Sequence, residues 1–576
     1  MRFLRMFTNS LLAGVLCAAY LTVLVLQLNP SVPLFSGTTA RWFLTLGVSY
    51  GLHFAILFYV VIVLREFFSM DPLSPGWASV RVLAWLSAPG AAVASVLMWL
   101  NVSAFAPVLG ELATRRMLAG TAATAASALA LLAIALAHYS HGRRGGRVGG
   151  ALFIIAAFGS IALPLVARGP AVPRGAPVPW AAGDPVAADV PGSPRITMLL
   201  FDGASLEYIR TRATEGKLPN FGRVLDGGAS MYLATLRPTQ PGPVWAAAAT
   251  GMYPAKNGIR SAASYFALGD HRPVDLLPDH CFAHALLRLG IIRDEPHTSA
   301  AWRVRPLWGI LTEAGVPSGI VGWPITYPAQ PSLGFVLADR FHDQSRAMAQ
   351  FDSGVAYPAG ALRDAMLAVN TTADLPPENG FREQAVVSAA RRDWVYSRAM
   401  HRLNAERKPR LTALRFQALD TAGHWHHGDS GRAAFRGGQD EEQRLNAQQM
   451  ELAYAAADAV VGEAVESLSQ GDLLLLVSGF GMQRLNPMKE LLARGLRDPA
   501  TRGTHERAPD GFLIAYGTPV HPGRLPRGSI VDVTPTVLYV LGLPIGRDMD
   551  GFARTDLFNS DFTAERPIAF IGTHDR

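Results

Sequence analysis

"LLLLVSGFGMQ", residues 473 to 483, is a run of aliphatics that stops in Ser478-Gly479-Phe480-Gly481-Met482. An unbroken apolar run of this kind is what a strand covered on both faces of a parallel sheet requires. In open α/β sheets the carboxyl ends of such strands carry the chemistry. This end has no carboxylate, imidazole or thiol, only a serine, two glycines and a phenylalanine. The stretch predicts a fold class and raises a question: whether the chain is an enzyme lacking a part, an enzyme of unusual design, or no enzyme.

The surrounding sequence repeats the strand signal. Aliphatic segments Ile196–Phe201, Ser318–Val321, Leu411–Phe416, Leu473–Val477 and Gly511–Ala515 alternate with helical stretches at Asn220–Leu225, Val244–Thr250, Arg305–Ala314, Glu442–Leu468 and Val533–Leu541. Such alternation predicts a mainly parallel sheet flanked by helices.

Upstream the chain is of another kind. Only 17% of the 576 residues are charged and mean hydropathy is +0.19, too apolar for an ordinary soluble protein. Runs long enough to cross a bilayer, about 20 helical residues each, fall at 8–28, 43–64, 82–104, 117–137 and 148–167. With the N-terminus inside, Arg2, Arg5, Arg65, Arg81, Arg143, Arg144 and Arg147 are cytoplasmic, opposed by Arg41, Arg115 and Arg116. An odd number of spans then puts the C-terminal part on the periplasmic or extracellular side of the cytoplasmic membrane. The first run is expected to stay as an anchor, because Gln27-Leu28-Asn29-Pro30 offers no small-residue cleavage site. The expected organisation is a five-helix membrane region, 1–168, a Pro/Ala/Gly linker, 169–194, and an α/β domain, 195–576.

The net charge of +7 is not gathered into a basic tract with interleaved aromatics, so no nucleic-acid partner is expected. Cys17 and Cys281 provide no disulfide framework. His53 and His138, in or near spans, have no acidic partner at helical spacing and are expected at interfaces or in helix packing.

Three places carry candidate chemistry. Asp202 follows the first strand in "FDG", where a carboxylate meets a site or caps a helix. In "DTAGHWHHGD", Asp420 and His424 stand four apart, a spacing that lets both meet one metal ion on a helical turn. His505 follows in "RGTHERAPDG". Neighbouring His426, His427 and Asp429 are expected in a solvated loop, and His280 and His284 in an insertion.

In this order the segments resemble the alkaline phosphatase superfamily, in its type I phosphodiesterase and nucleotide pyrophosphatase branch. "FDG" (201–203), "PTQPGPVWAAAATGMYPAKNGI" (238–259), "DTAGH" (420–424), Tyr454 and Asp458, "VSGFGM" (477–482) and "GTHERAPDGFLIAYG" (503–517) carry the resemblance, which spans roughly 195–560. It implies an alkaline-phosphatase-like domain, two divalent metals, usually zinc, and phosphoryl transfer through a serine or threonine. It also implies one metal on Asp420, His424 and His505, and a second on Asp202 with an Asp-His pair. That pair is Gly479-Phe480 here, and the nucleophile position is Pro241. Thr239 and Ser478 are the nearby hydroxyls, Thr239 being the candidate nucleophile. The expectation is one zinc, or manganese, with Asp202 positioning or deprotonating the attacker. The substrate would be a phosphorylated or lipid-linked ester beside the bilayer. The competing expectation is an inactive pseudoenzyme that binds such a ligand or an envelope protein.

Overall fold

The computed structural model describes residues 1–68, 76–140, 146–173, 175–178, 193–278, 283–344, 352–371, 380–427, 441–486 and 502–575. Arg143, Arg144, most of the linker, His280, Cys281 and Asp429 lie outside them, as do the side chains of His138, Arg147 and His284. The chain divides into two compact units, Met1–Gly175 with Ala263–Pro296, and Ala176–Ala262 with His297–Arg576.

In the first unit, five helices are long and apolar enough to cross a membrane: Arg2–Leu28, Gly37–Phe68, Val80–Leu109, Glu111–Ala137 and Val148–Arg168. Each contains one of the expected spans, and together they mark a multi-pass membrane protein. Large apolar side chains such as Leu57, Phe67, Ile154, Phe158 and Val166 face outward, as a lipid solvent permits and water would not. A π-helical turn, Gly47–Gly51, interrupts the second helix where it meets the first. A Cβ on Gly14 would sit 2.4 Å from the Gly51 carbonyl, so glycine is what lets these backbones touch. At the other end of the first helix, buried Arg168 donates from Nε to the Leu26 carbonyl (2.7 Å) and from Nη2 to that of Asn29 (2.8 Å). A cation thus adds a second bond to carbonyls at the helix C-terminus, where the dipole favours positive charge. His53 is exposed on the second span.

Residues 263–296, the stretch that includes the insertion expected at His280 and His284, belong to this first unit. They open and close with an antiparallel pair, Ala263–Phe266 with Arg293–Pro296. Tyr265, Val274, Leu277, Leu286 and Ile292 share one apolar cluster with Val23–Leu26, Trp42, Leu46 and Met98 of the helices.

The second unit is built on a ten-stranded sheet. From one edge the order is Gly523–Arg524, Ala229–Ala234, Asp510–Tyr516, Leu473–Phe480, Ile196–Phe201, Leu411–Phe416, Ser318–Val321, Gly334–Leu337 and Ala356–Tyr357, with Gly528–Ser529 also on Ala229–Ala234. The five strands from Leu473–Phe480 to Gly334–Leu337 are parallel. Asp510–Tyr516 runs antiparallel to both of its neighbours. Helices Pro241–Thr250 and Val533–Val540 pack on the face formed by Met198, Leu200, Ala413, Leu475 and Val477. Helices Gln384–Arg407 and Glu441–Glu466 cover Leu199, Phe201, Leu414, Leu474 and Leu476 on the other. Two covered faces explain why these strands are mainly apolar rather than alternating.

One strand departs from expectation. Leu473–Phe480 runs past Val477, and Phe480 pairs with Asp510 in the ladder. Gly479 and Phe480 are therefore both buried within the sheet.

Candidate metal centre

Asp420 and His424 lie on the helix Ala418–His426, which leaves the strand Leu411–Phe416 through Gln417. Its first turn is held by buried Asp393, whose carboxylate accepts the backbone N–H groups of Gln417 (2.9 and 3.0 Å) and Ala418 (2.8 Å). His505 comes from the segment between the short strand Gly503–Thr504 and Asp510–Tyr516. That segment is tied to the helix where Arg502 N–H donates to the His424 carbonyl at 2.7 Å.

The three side chains converge: one potential ligand atom from each of Asp420, His424 and His505 lies within 4.8 Å of the others. The two imidazole rings are 5.1 Å apart, edge to face. His424 Nδ1 is 2.9 Å from the Gly503 carbonyl and His505 Nδ1 is 3.0 Å from the Thr239 carbonyl. A carbonyl only accepts, so each ring carries its proton on Nδ1 and presents Nε2 as a lone pair. His424 Nε2 stands 3.6 Å from Asp420 Oδ2. Asp420 Oδ1 is buried without a hydrogen-bond partner among the described residues. Burial pushes the Asp420 carboxyl up, and the two histidines pull it back. A carboxylate and two oriented imidazoles fit a zinc-like cation with an open fourth position.

Asp202, expected among the ligands, lies outside this group. Gly203 after it has φ +71°, and a Cβ there would fall 2.9 Å from Asp420 Oδ1, so the two segments meet only through glycine. Asp202 itself is buried and its oxygens are engaged. Oδ1 accepts the Trp245 indole N–H at 2.6 Å, and Oδ2 accepts Arg415 Nε at 2.9 Å and Nη2 at 2.5 Å. Trp245 is wedged in turn against Trp323, with Trp308 and Trp302 behind.

The hydroxyl candidates are also occupied. Thr239 is buried and donates Oγ1 to the Leu236 carbonyl at 2.7 Å. Pro241 is the first residue of the helix Pro241–Thr250. Ser478 Oγ lies 2.9 Å from the Phe480 carbonyl and 3.2 Å from that of Ala204. Phe480 packs 5.1 Å from the His505 ring. His426 is buried and bonded through Nδ1 to Asn446, so it is no part of a solvated loop. Tyr454 Oη accepts Ser205 N–H in the loop after the first strand, and Asp458 accepts the N–H groups of Asn220 and Phe221 at the start of the helix Pro219–Gly227.

Arg415 and Asp393 were not legible as site residues from spacing alone. Arg415 carried one signal, a lone cation in the central strand "LTALRF", where both faces are covered and a charge must find a partner.

A mainly parallel sheet and an Asp-His-His cluster at its strand ends define an α/β domain with a candidate metal centre, following five apolar spans. The chain belongs to the type I phosphodiesterase / nucleotide pyrophosphatase family, whose sequence model matches residues 197–507. None of the curated proteins matches the chain.

Proposed function

We propose that this is a membrane-anchored phosphoric ester hydrolase or phosphotransferase that works with one divalent ion, zinc by donor set, on the outer side of the cytoplasmic membrane. The observation that carries it is the convergence of Asp420, His424 and His505, with both histidines turned by backbone carbonyls to offer Nε2. When bound, the ion supplies Lewis acidity toward a phosphoryl oxygen and lowers the pKa of a water molecule. The chain's own contribution is to fix the ligands. Asp393 sets the helix that carries two of them, and the carbonyls of Gly503 and Thr239 set the tautomers.

Solvent or an acceptor hydroxyl, not a protein side chain, is the attacker in this reading. Pro241 has no hydroxyl, and that of Thr239 is donated to Leu236. The second metal half-site is degenerate. Gly479 and Phe480 provide no ligand, and Asp202 is held by Arg415 and Trp245. Orientation follows the arginine distribution, with the N-terminus inside.

The test is metal analysis of the intact protein with turnover of a chromogenic phosphodiester and phosphomonoester panel. One zinc per chain is expected, and both zinc and turnover are lost in His424→Ala/His505→Ala. Wild type that holds zinc but is no faster than that variant makes the protein a binding pseudoenzyme, the reading Pro241 favours. Transfer of label to a lipid acceptor with little hydrolysis identifies a transferase.

A further inference from the structure

Resting on the single-ion reading above, we propose that Arg415 is a fixed cation that does the second metal's electrostatic work: it neutralises Asp202 and binds a non-bridging oxygen of the substrate phosphoryl group. The argument begins with cost. Arg415 points from a central strand onto the face that packs against the helix Pro241–Thr250, and it is 8% exposed. A buried guanidinium persists only with a partner of opposite charge and good geometry. Asp202, 1% exposed, is that partner. Burial pulls the Arg415 pKa down, but attraction to Asp202, with Asp339 and Asp420 adding to it, leaves it above its ordinary value. The charge is permanent at any working pH.

Its surroundings are those of an ion site closed to ions. A Cβ on Gly479 would fall 2.5 Å from Val244 Cγ1, and Phe480 takes up the adjoining space beside His505. Trp245 N–H and two guanidinium nitrogens satisfy Asp202, leaving it no reason to recruit a metal. Both Arg415 bonds to Asp202 come from Nε and Nη2, so Nη1 is the edge not committed to the carboxylate. Asp202, which Arg415 grips, is followed directly by Gly203, where a Cβ would fall 2.9 Å from Asp420 Oδ1, so the pair sits next to the metal cluster. A planar fork that grips a carboxylate with one edge and offers the other is suited to a tetrahedral oxyanion.

The experiment uses zinc-loaded full-length protein in detergent, with inorganic phosphate as the probe, titrated calorimetrically beside a zinc count. Replacing both partners, Asp202→Asn/Arg415→Met, removes the pair without stranding a buried charge. The expected result is a folded protein with one zinc and phosphate affinity about ten- to a hundredfold weaker. Arg415→Lys is the second variant. It keeps a charge for Asp202 but loses the fork, and it too is expected to bind phosphate more weakly with zinc unchanged. Wild-type phosphate affinity in either folded variant overturns the proposal, because the pair is then structural only. The two readouts separate the claims. Wild type with zinc but no phosphate binding sinks the Arg415 role alone. Wild type without zinc, but with phosphate binding that weakens in these variants, sinks the single-ion reading and keeps Arg415.

Discussion

The Nδ1–H of His505 donates to the main-chain carbonyl of Thr239 at 3.0 Å, while the Thr239 hydroxyl donates to the Leu236 carbonyl at 2.7 Å. The threonine closest to the family's nucleophile position thus faces the cluster with its backbone. Thr239→Val should therefore keep zinc and turnover within a factor of about three while costing about 1 kcal/mol for the lost buried hydrogen bond. Thermal unfolding and single-turnover kinetics on the same preparation check this. A kcat loss of about a hundredfold or more with zinc retained would restore Thr239 as a nucleophile.

Asp393 gives stability a pH dependence of defined sign. Burial pushes its pKa up to about 7, against the pull of the N–H bonds from Ala418 and Gln417. An unfolded chain ionises the same carboxyl near pH 4. Between those values the folded protein holds a proton that the unfolded chain has lost, so this stabilising contribution is complete below about pH 4 and is lost as pH rises through about 7. Its slope is at most about 1.4 kcal/mol per pH unit. Asp393→Asn, neutral throughout, should flatten the fall in melting temperature between pH 5 and about pH 8 in wild type. Parallel curves for the two proteins would contradict the assignment.

How far the sequence could be read depended on the kind of interaction. The five spans and the strands Ile196–Phe201 and Leu411–Phe416 were legible because lipid and a doubly covered sheet each demand runs that are mainly apolar. The pairing of Asp420 with His424 was legible because helical spacing is local. Pairings across the chain were not. Nothing near Asp202 announces that an arginine 213 positions later will hold it, nor that Thr239 turns a ring at 505. The association of 263–296 with the spans was hidden for a similar reason, since its apolar residues find their cluster only in three dimensions.

Gly479 offers a counterintuitive test. Gly479→Asp would bring position 479 back to the family's metal-ligand aspartate, yet a Cβ there lies 2.5 Å from Val244 Cγ1 in a strand with no exposed residue. Overpacking of this kind costs about 1–3 kcal/mol, and an unpaired buried carboxylate adds to it. The single variant should express poorly or melt earlier without taking up a second zinc. Trimming the neighbour, in Gly479→Asp/Val244→Ala, should recover part of the loss. A stable single variant carrying two zinc ions would show that the half-site is merely unliganded rather than filled.

In the membrane unit, Asn29 links the first helix to the 263–296 segment. Its Nδ2 donates to the Leu276 carbonyl at 2.7 Å and to Val25 at 2.8 Å, and its Oδ1 accepts the N–H groups of Asp275 (2.8 Å) and Leu276 (3.0 Å). Asn29 is 1% exposed, so no water can replace the amide. Asn29→Leu retains bulk and removes all four bonds, stranding two N–H groups and a carbonyl of the segment at about 1–3 kcal/mol for each group left unpaired. The span itself should still insert, since leucine favours the bilayer. The expected outcome is normal membrane insertion with faster hydrogen exchange and limited proteolysis confined to residues around 275. Unchanged protection there would mean that the apolar cluster of Tyr265, Val274 and Leu277 with Val23–Leu26 holds the segment without the asparagine.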